Sequence, residues 1–153
     1  MIKTVILDTG PLGLLTRRRG TPEVEDCWRW VESLSSAEIN IIVPEIADYE
    51  IRREMIRAGL SHGLIRLDSF IAAIPDRYLP ITTSAIRKAA ELWAVTRNAN
   101  LPTSAPHALD GDAILAGQTL SLGLLSTEFI VATENVKHIS RFVVCDEWRY
   151  IQP

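Results

Sequence analysis

The stretch IKTVILDTGP, residues 2–11, decides the fold class. Residues 2–7 form a largely apolar run rich in β-branched side chains, as in a strand buried inside a sheet, and Asp8-Thr9-Gly10-Pro11 reads as a strand-to-turn junction. Similar short runs recur along the chain: NIIV at 40–43, a weaker one at 78–81, FIVA at 129–132 and RFVVC at 141–145. Longer segments of helical periodicity separate them. Strands alternating with helices predict an α/β protein with three layers, α/β/α, and a parallel sheet of about five strands joined by right-handed crossovers.

The helical segments have recognisable ends. After the triple arginine Arg17, Arg18 and Arg19 and the break Gly20-Thr21-Pro22, residues 23–33 place Val24, Cys27 or Trp28, and Val31 at helical spacing. Pro44 follows the second strand and suits the first turn of a helix, because its missing N–H needs no partner there. That helix starts near Glu45 and runs through EIADYEIRREMIRAG to Gly59. A second spans about 61–74 and is closed by Pro75; Thr83 or Ser84 looks like the cap of a third that passes Trp93 and ends near Asn98. Residues 101–109 hold two prolines and read as a loop. Asp110 or Asp112 then opens a helix that stops at Gly123, and a turn or short helix over 135–140 follows the fourth strand.

Length and composition narrow the function classes. The chain has 153 residues, the size of one domain covering 1–153, with 47% hydrophobic and 23% charged residues as in an ordinary globular protein. It holds no uninterrupted apolar run of the roughly 18 residues that a membrane helix needs. Asp8 ends the opening apolar run too soon for a signal peptide, so a cytoplasmic location is expected. Cys27 and Cys145 are too few for a disulfide framework and read as small hydrophobes. The formal net charge of −3 is unlike that of a basic nucleic-acid binder, although divalent cations held by some of the 19 acids would offset it.

In an open parallel sheet, ligands bind beyond the carboxyl ends of the strands. Asp8 follows the first strand directly, and Thr133, Glu134 and Asn135 follow the fourth. Glu45, Asp48 and Glu50 lie in the first two turns of the helix leaving the second strand, and Asp110 and Asp112 precede the fourth. Each carboxylate near a helix start is explained singly by the helix dipole. Converging on one crevice, however, they would repel and raise one another's pKa unless a cation lay between them. Oxygen-only ligands suit Mg²⁺ or Mn²⁺ rather than zinc, and such ions support hydrolysis of phosphodiesters.

On these residues the sequence resembles the PIN-domain nucleases, and among them the small VapC-type toxins of type II toxin–antitoxin pairs, over nearly the whole chain. VILDTGPL matches an opening strand that ends in an acid followed by Thr or Ser, which puts the first metal-binding carboxylate at Asp8. IADYEIRREMIRAG places the second at Glu50, with Asp48 and Glu54 as lesser candidates, and DAILAGQ gives Asp112 as the third. Asp110 is a neighbour outside that match. Two positions depart from the pattern: Asn135 stands where an acid is common, with Glu134 beside it as a substitute, and Gly10 replaces the more usual Asn or Ser.

The resemblance implies a Mg²⁺- or Mn²⁺-dependent endoribonuclease. Asp8 and Asp112 would hold the principal ion, Glu50 would complete the shell or orient the attacking water, and Thr9 and Thr133 would act as accessory hydrogen-bonding groups. RNA would be the substrate, a cognate antitoxin the protein partner, and a second copy a further one, through an apolar helix face within 45–74. Arg17, Arg18, Arg19 and Lys137 are candidate phosphate contacts, equally well explained as a solvated surface. His62, His107 and His138 lack metal-ligand spacing, and Trp28, Trp30, Trp93 and Trp148 fall on apolar faces; no aromatic–basic RNA surface is evident. Two rivals stand beside this reading. A haloacid-dehalogenase-type phosphatase would need a second Asp where Gly10 stands, and a catalytically impaired PIN-like binding module would fit Asn135.

Overall fold

The computed structural model describes residues 1–99 and 106–153. Five strands, β1 (Thr4–Leu7), β2 (Asn40–Pro44), β3 (Tyr78–Leu79), β4 (Phe129–Ala132) and β5 (Cys145–Asp146), pair in parallel in the order β3-β2-β1-β4-β5. In register, Val5 faces Ile41 and Ile130, and Ile6 faces Ile42 and Val131. Side chains alternate across a strand, so the run at 4–7 feeds two cores at once. Val5 and Leu7 join Ile41, Val43 and Ala132 on one side, while Ile6 joins Ile42, Phe129 and Val131 on the other. This double burial is why the strand residues are apolar continuously rather than alternately.

Helices α1 (Thr9–Thr16), α2 (Pro22–Ser36) and α4 (Ser61–Ala72) cover the first core through Leu12, Leu15, Cys27, Val31, Leu34, Leu67 and Phe70. A terminal 3-10 turn, Trp148–Tyr150, closes it. Trp148 packs against Trp30 with ring centroids 5.6 Å apart, and the Trp30 Nε1–H donates to the Ile151 carbonyl at 2.9 Å. Helix α6 (Pro106–Leu120) and the short α7 (Val136–Ile139) cover the second core with Leu115, Ala116 and Ile139. Helix α5 (Thr83–Asn98) stacks on α6, so closely that a Cβ at Gly117 would lie 2.4 Å from the Ala85 carbonyl oxygen. Helix α3 (Glu45–Arg57) lies across the boundary, sending Ile46 to one core and Ala47 to the other. The α/β/α expectation holds, and each fully buried Leu, Ile or Val contributes about 1.5–3 kcal/mol to it.

Several expected boundaries are corrected. Thr9-Gly10-Pro11 is not a turn but the first turn of α1: residues there have no intrahelical acceptor for their N–H groups, so Pro11 removes no helical hydrogen bond. Helix α6 begins at Pro106, so residues 106–109 are helical rather than loop and neither Asp110 nor Asp112 opens the helix; proline suits a first helical position. Residues 100–105 of the expected loop lie outside the described residues. The cap of α5 is Thr82, whose hydroxyl accepts from the Ala85 N–H at 3.1 Å, rather than Thr83 or Ser84. The fifth strand is Cys145–Asp146 rather than 141–145, because Phe142 and Val143 still donate their N–H groups to the Ile139 carbonyl as the chain leaves α7.

Candidate functional site

Strand order reverses at β1, which has β2 on one side and β4 on the other. A crevice opens beyond the carboxyl ends of strands at such a point. Asp8 stands there as the N-cap of α1, in extended backbone geometry (φ −80°, ψ 176°). Its Oδ1 accepts the Thr9 N–H at 2.7 Å, and its main-chain carbonyl accepts the Leu12 N–H. Across the strand pair, the fully buried Thr133 donates its hydroxyl to Asp8 Oδ2 at 2.6 Å and accepts the Asn135 N–H at 2.9 Å. Capping and cross-strand bonding together hold both carboxylate oxygens, so Asp8 is oriented by the fold itself.

Two further elements bring acids to the same place. Glu50 comes from the second turn of α3 and Asp112 from the second turn of α6, and with Asp8, Thr9, Arg53 and Asn135 they line a cavity of about 400 Å³. Gly111 allows this approach, because a Cβ there would sit 2.4 Å from Glu50 Oε1. Burial raises the Asp8 carboxyl above its ordinary range, with Thr133 and Thr9 pulling it back down. Burial, then the charge of Asp8, raises Glu50, opposed by Arg53. Asp112 is pushed up to about 7, by burial first and then by Asp8 and Glu50. The three carboxylates therefore share one electrostatic environment, and it disfavours their simultaneous charge.

Their chemistry fits a hard divalent cation: oxygen donors only, partly desolvated and mutually repelling. Their present spacing is not that of a closed ligand set, and among the described residues no three His, Cys, Asp or Glu side chains are gathered tightly enough to enclose an ion.

The other candidates are dispersed. Asp110 is exposed on α6 and does not line the cavity. Asp48 is buried and paired with Arg52 at 2.8 Å, Glu54 pairs with Arg57, and the Glu45 carboxylate accepts the Ile81 N–H. Asn135 is exposed at the cavity edge. Glu134 is also exposed, and its side chain crosses Gly10, where a Cβ would lie 2.8 Å from Glu134 Cγ. The departure at Gly10 thus has a packing reason, because a bare α carbon at position 10 makes room for Glu134. Arg17 and Arg19 line a groove between α2 and α4, and Arg18 borders another beside α1 and α3. Neither arginine group faces the carboxylates. Lys137 is exposed on α7.

Sequence reasoning missed three residues. Arg53 lines the cavity; its place three residues after Glu50, on the same helix face, was the available signal. Gly111 reads in sequence only as part of a Gly-Asp pair like that of the haloacid-dehalogenase rival, and its approach to Glu50 leaves no trace there. Gln118 is fully buried, accepting the Ile46 N–H on Oε1 at 3.1 Å and donating Nε2–H to the Leu79 carbonyl at 2.7 Å. Pro44 offers no side-chain cap to α3, so α6 supplies that cap through Gln118. A buried partner of this kind leaves no periodic trace.

No protein-family model and no curated protein matches the sequence. Solved structures do match its fold. A chain of VapBC2 from Rickettsia felis, bound to a DNA fragment from its promoter, superposes with a TM-score of 0.72 at 14% identity, over 95% of this chain and 98% of that one. A chain of FitAcB from Neisseria gonorrhoeae gives 0.69 at 17% identity, over 96% and 99%. One of VapBC-1 from nontypeable Haemophilus influenzae gives 0.64 at 14%, over 95% and 98%. The chain thus shares the fold of these toxin–antitoxin structures along nearly its whole length.

Proposed function

We propose that the chain is the toxin of a toxin–antitoxin pair and acts as a metal-dependent endoribonuclease. The observation that carries this reading is the meeting of Asp8, Glu50 and Asp112, from three different elements, on one cavity at the point where strand order reverses. The shared fold with VapBC and FitAcB supports the toxin part.

Asp8, Asp112 and Glu50 would hold Mg²⁺ or Mn²⁺. When bound, the ion supplies an activated water and offsets the charge that develops on a phosphodiester. Asp8 is held ready for that role by Thr133 and by the start of α1. Glu50, set against Gly111, would complete the ion's shell or orient the attacking water. Without an ion, burial and the charges of Asp8 and Glu50 raise Asp112 to about 7, so an ion bound there would displace its proton near neutrality. Thr9 and Asn135 line the cavity as uncharged hydrogen-bonding groups, and Asn135 gives the site three carboxylates in place of four. Glu134 is turned across Gly10, and Asp110 is exposed outside the cavity lining.

A cognate antitoxin is the protein partner this reading assigns. A second copy is the other, through apolar side chains exposed around the α3–α4 hairpin, Leu60 and Ile65 among them. The open spacing of the carboxylates and the amide at Asn135 favour one competing reading, a PIN-like binding module without catalysis.

Cleavage of end-labelled RNA by purified protein in Mg²⁺, Mn²⁺ or EDTA, beside Asp8→Asn, tests the proposal. Metal-dependent cleavage that the substitution abolishes supports the nuclease. Folded protein that neither cleaves RNA nor binds Mn²⁺ is the binding module instead.

A further inference from the structure

Helix α3 carries an aromatic–cationic pair at the mouth of the carboxylate cavity. Arg53 lines that cavity, and its guanidinium lies over the Tyr49 ring, 5.2 Å from the centroid. Tyr49 is 55% exposed and stands next to the lining residue Glu50 in sequence, though not itself in the lining. The two are four residues apart, on one helix face, with Glu50 between them in sequence.

Other arginines also stack on aromatic rings, but their positions differ. Arg19 over Trp28 is held by Glu25 through two hydrogen bonds, Arg149 over Trp148 is paired with Glu23, and Arg77 over Phe70 is buried and donates to the Phe70 carbonyl. Of the stacks among the described residues, only that of Arg53 and Tyr49 has a member lining the carboxylate cavity. The ion pair shown for Arg53 is a long contact of 4.0 Å with the exposed Glu54.

We infer that Tyr49 and Arg53 form the substrate platform of this site and select single-stranded RNA, Tyr49 stacking on one base while Arg53 holds a neighbouring phosphate. This rests on the nuclease reading above. An exposed aromatic face takes any base, but only one that is unstacked from its neighbours, which a duplex does not present. A guanidinium forms a planar, two-pronged contact with phosphate and keeps its charge at any working pH. An acidic cavity also needs a cation at its edge to receive a polyanion, and Arg53 is placed to be that cation. Tyr49 and Arg53 thus set which nucleic acid enters, while the acids act on it.

The test is fluorescence polarisation with a labelled single-stranded oligoribonucleotide and with the same sequence as a duplex. Ca²⁺ buffer is used, with a gel to show that the RNA stays intact and light scattering to give the mass of each variant. Tyr49→Ala should weaken single-strand binding by about five-fold or more, while Tyr49→Phe, which keeps the ring, stays within about two-fold of the parent. Arg53→Ala should lower the slope of log affinity against log salt by about 0.7, the value for one phosphate contact on a single strand. Duplex binding should not respond to Tyr49→Ala. Single-strand binding that neither alanine variant alters overturns this inference and leaves the nuclease reading standing. So does a loss of binding by Tyr49→Ala that is accompanied by a change in oligomeric mass. A parent protein that binds neither probe overturns both.

Discussion

Thr133 Oγ1 donates a 2.6 Å hydrogen bond to Asp8 Oδ2, joining the end of β4 to the end of β1 through two side chains. The same hydroxyl oxygen accepts the Asn135 N–H, so its own proton is directed at the carboxylate. Thr133→Val keeps the shape and removes that proton. Loss of a partner that orients a metal-binding group typically costs about 10–100-fold in affinity or activity. Mn²⁺ titration should show a loss in that range for Thr133→Val and little change for Thr133→Ser; equal affinity in the Val variant would refute the orienting role.

Gly111 separates site geometry from stability. It lies within α6, where alanine is the better helix former by roughly 1 kcal/mol, yet its missing Cβ is where Glu50 Oε1 approaches. Gly111→Ala should therefore leave the melting temperature equal or higher while displacing Glu50 and lowering RNA cleavage by at least about ten-fold. Full activity in a stable Gly111→Ala protein would show that Glu50 is not needed where it stands.

The raised Asp112 carboxyl gives stability a definite pH dependence. In the folded chain it loses its proton near 7, and in the unfolded chain near the ordinary value of 3.8. A group whose folded pKa is raised contributes fully below the unfolded value and loses that contribution as pH climbs to the folded one. In EDTA, Asp112→Asn should thus gain melting temperature relative to the parent between about pH 4 and 7. Excess Mn²⁺ should favour the parent as pH rises, because the ion binds the deprotonated acid. A parent–variant difference that does not change with pH would contradict the assignment.

Gln118 ties three elements together with one amide. Replacing it by Leu strands the Ile46 N–H and the Leu79 carbonyl inside the protein, each costing about 1–3 kcal/mol. Urea unfolding should show a loss of that order for Gln118→Leu, and Gln118→Glu should recover part of it by keeping the acceptor for Ile46. An unchanged midpoint in the Leu variant would mean that water replaces the amide.

Much of the fold was legible because its causes are local. The doubly buried runs at 4–7 and 129–132 are almost wholly apolar, and Pro44, which ends β2 rather than entering the first turn of α3, still stands immediately before Glu45, where α3 begins. Asp8 stands out at a strand end, whereas Glu50 and Asp112 are separated from Asp48, Glu54 and Asp110 only by the resemblance to the PIN-domain pattern. The hidden parts depend on contacts between distant segments. Pro11 looks like a turn until Asp8 caps a helix ahead of it, and Gln118 looks like a surface amide until Ile46 and Leu79 are placed beside it. Arg17, Arg18 and Arg19 drew attention by density, but the backbone leads them away from the carboxylates, while a single Arg53 arrives through helix geometry.

The contact of Glu134 with Gly10 couples two positions 124 residues apart. A side chain at position 10 must turn Glu134 out of its place, and Glu134 stays where it is only while position 10 is bare. The residue at position 10 therefore decides where the exposed Glu134 carboxylate, and with it one negative charge, sits beside the start of α1.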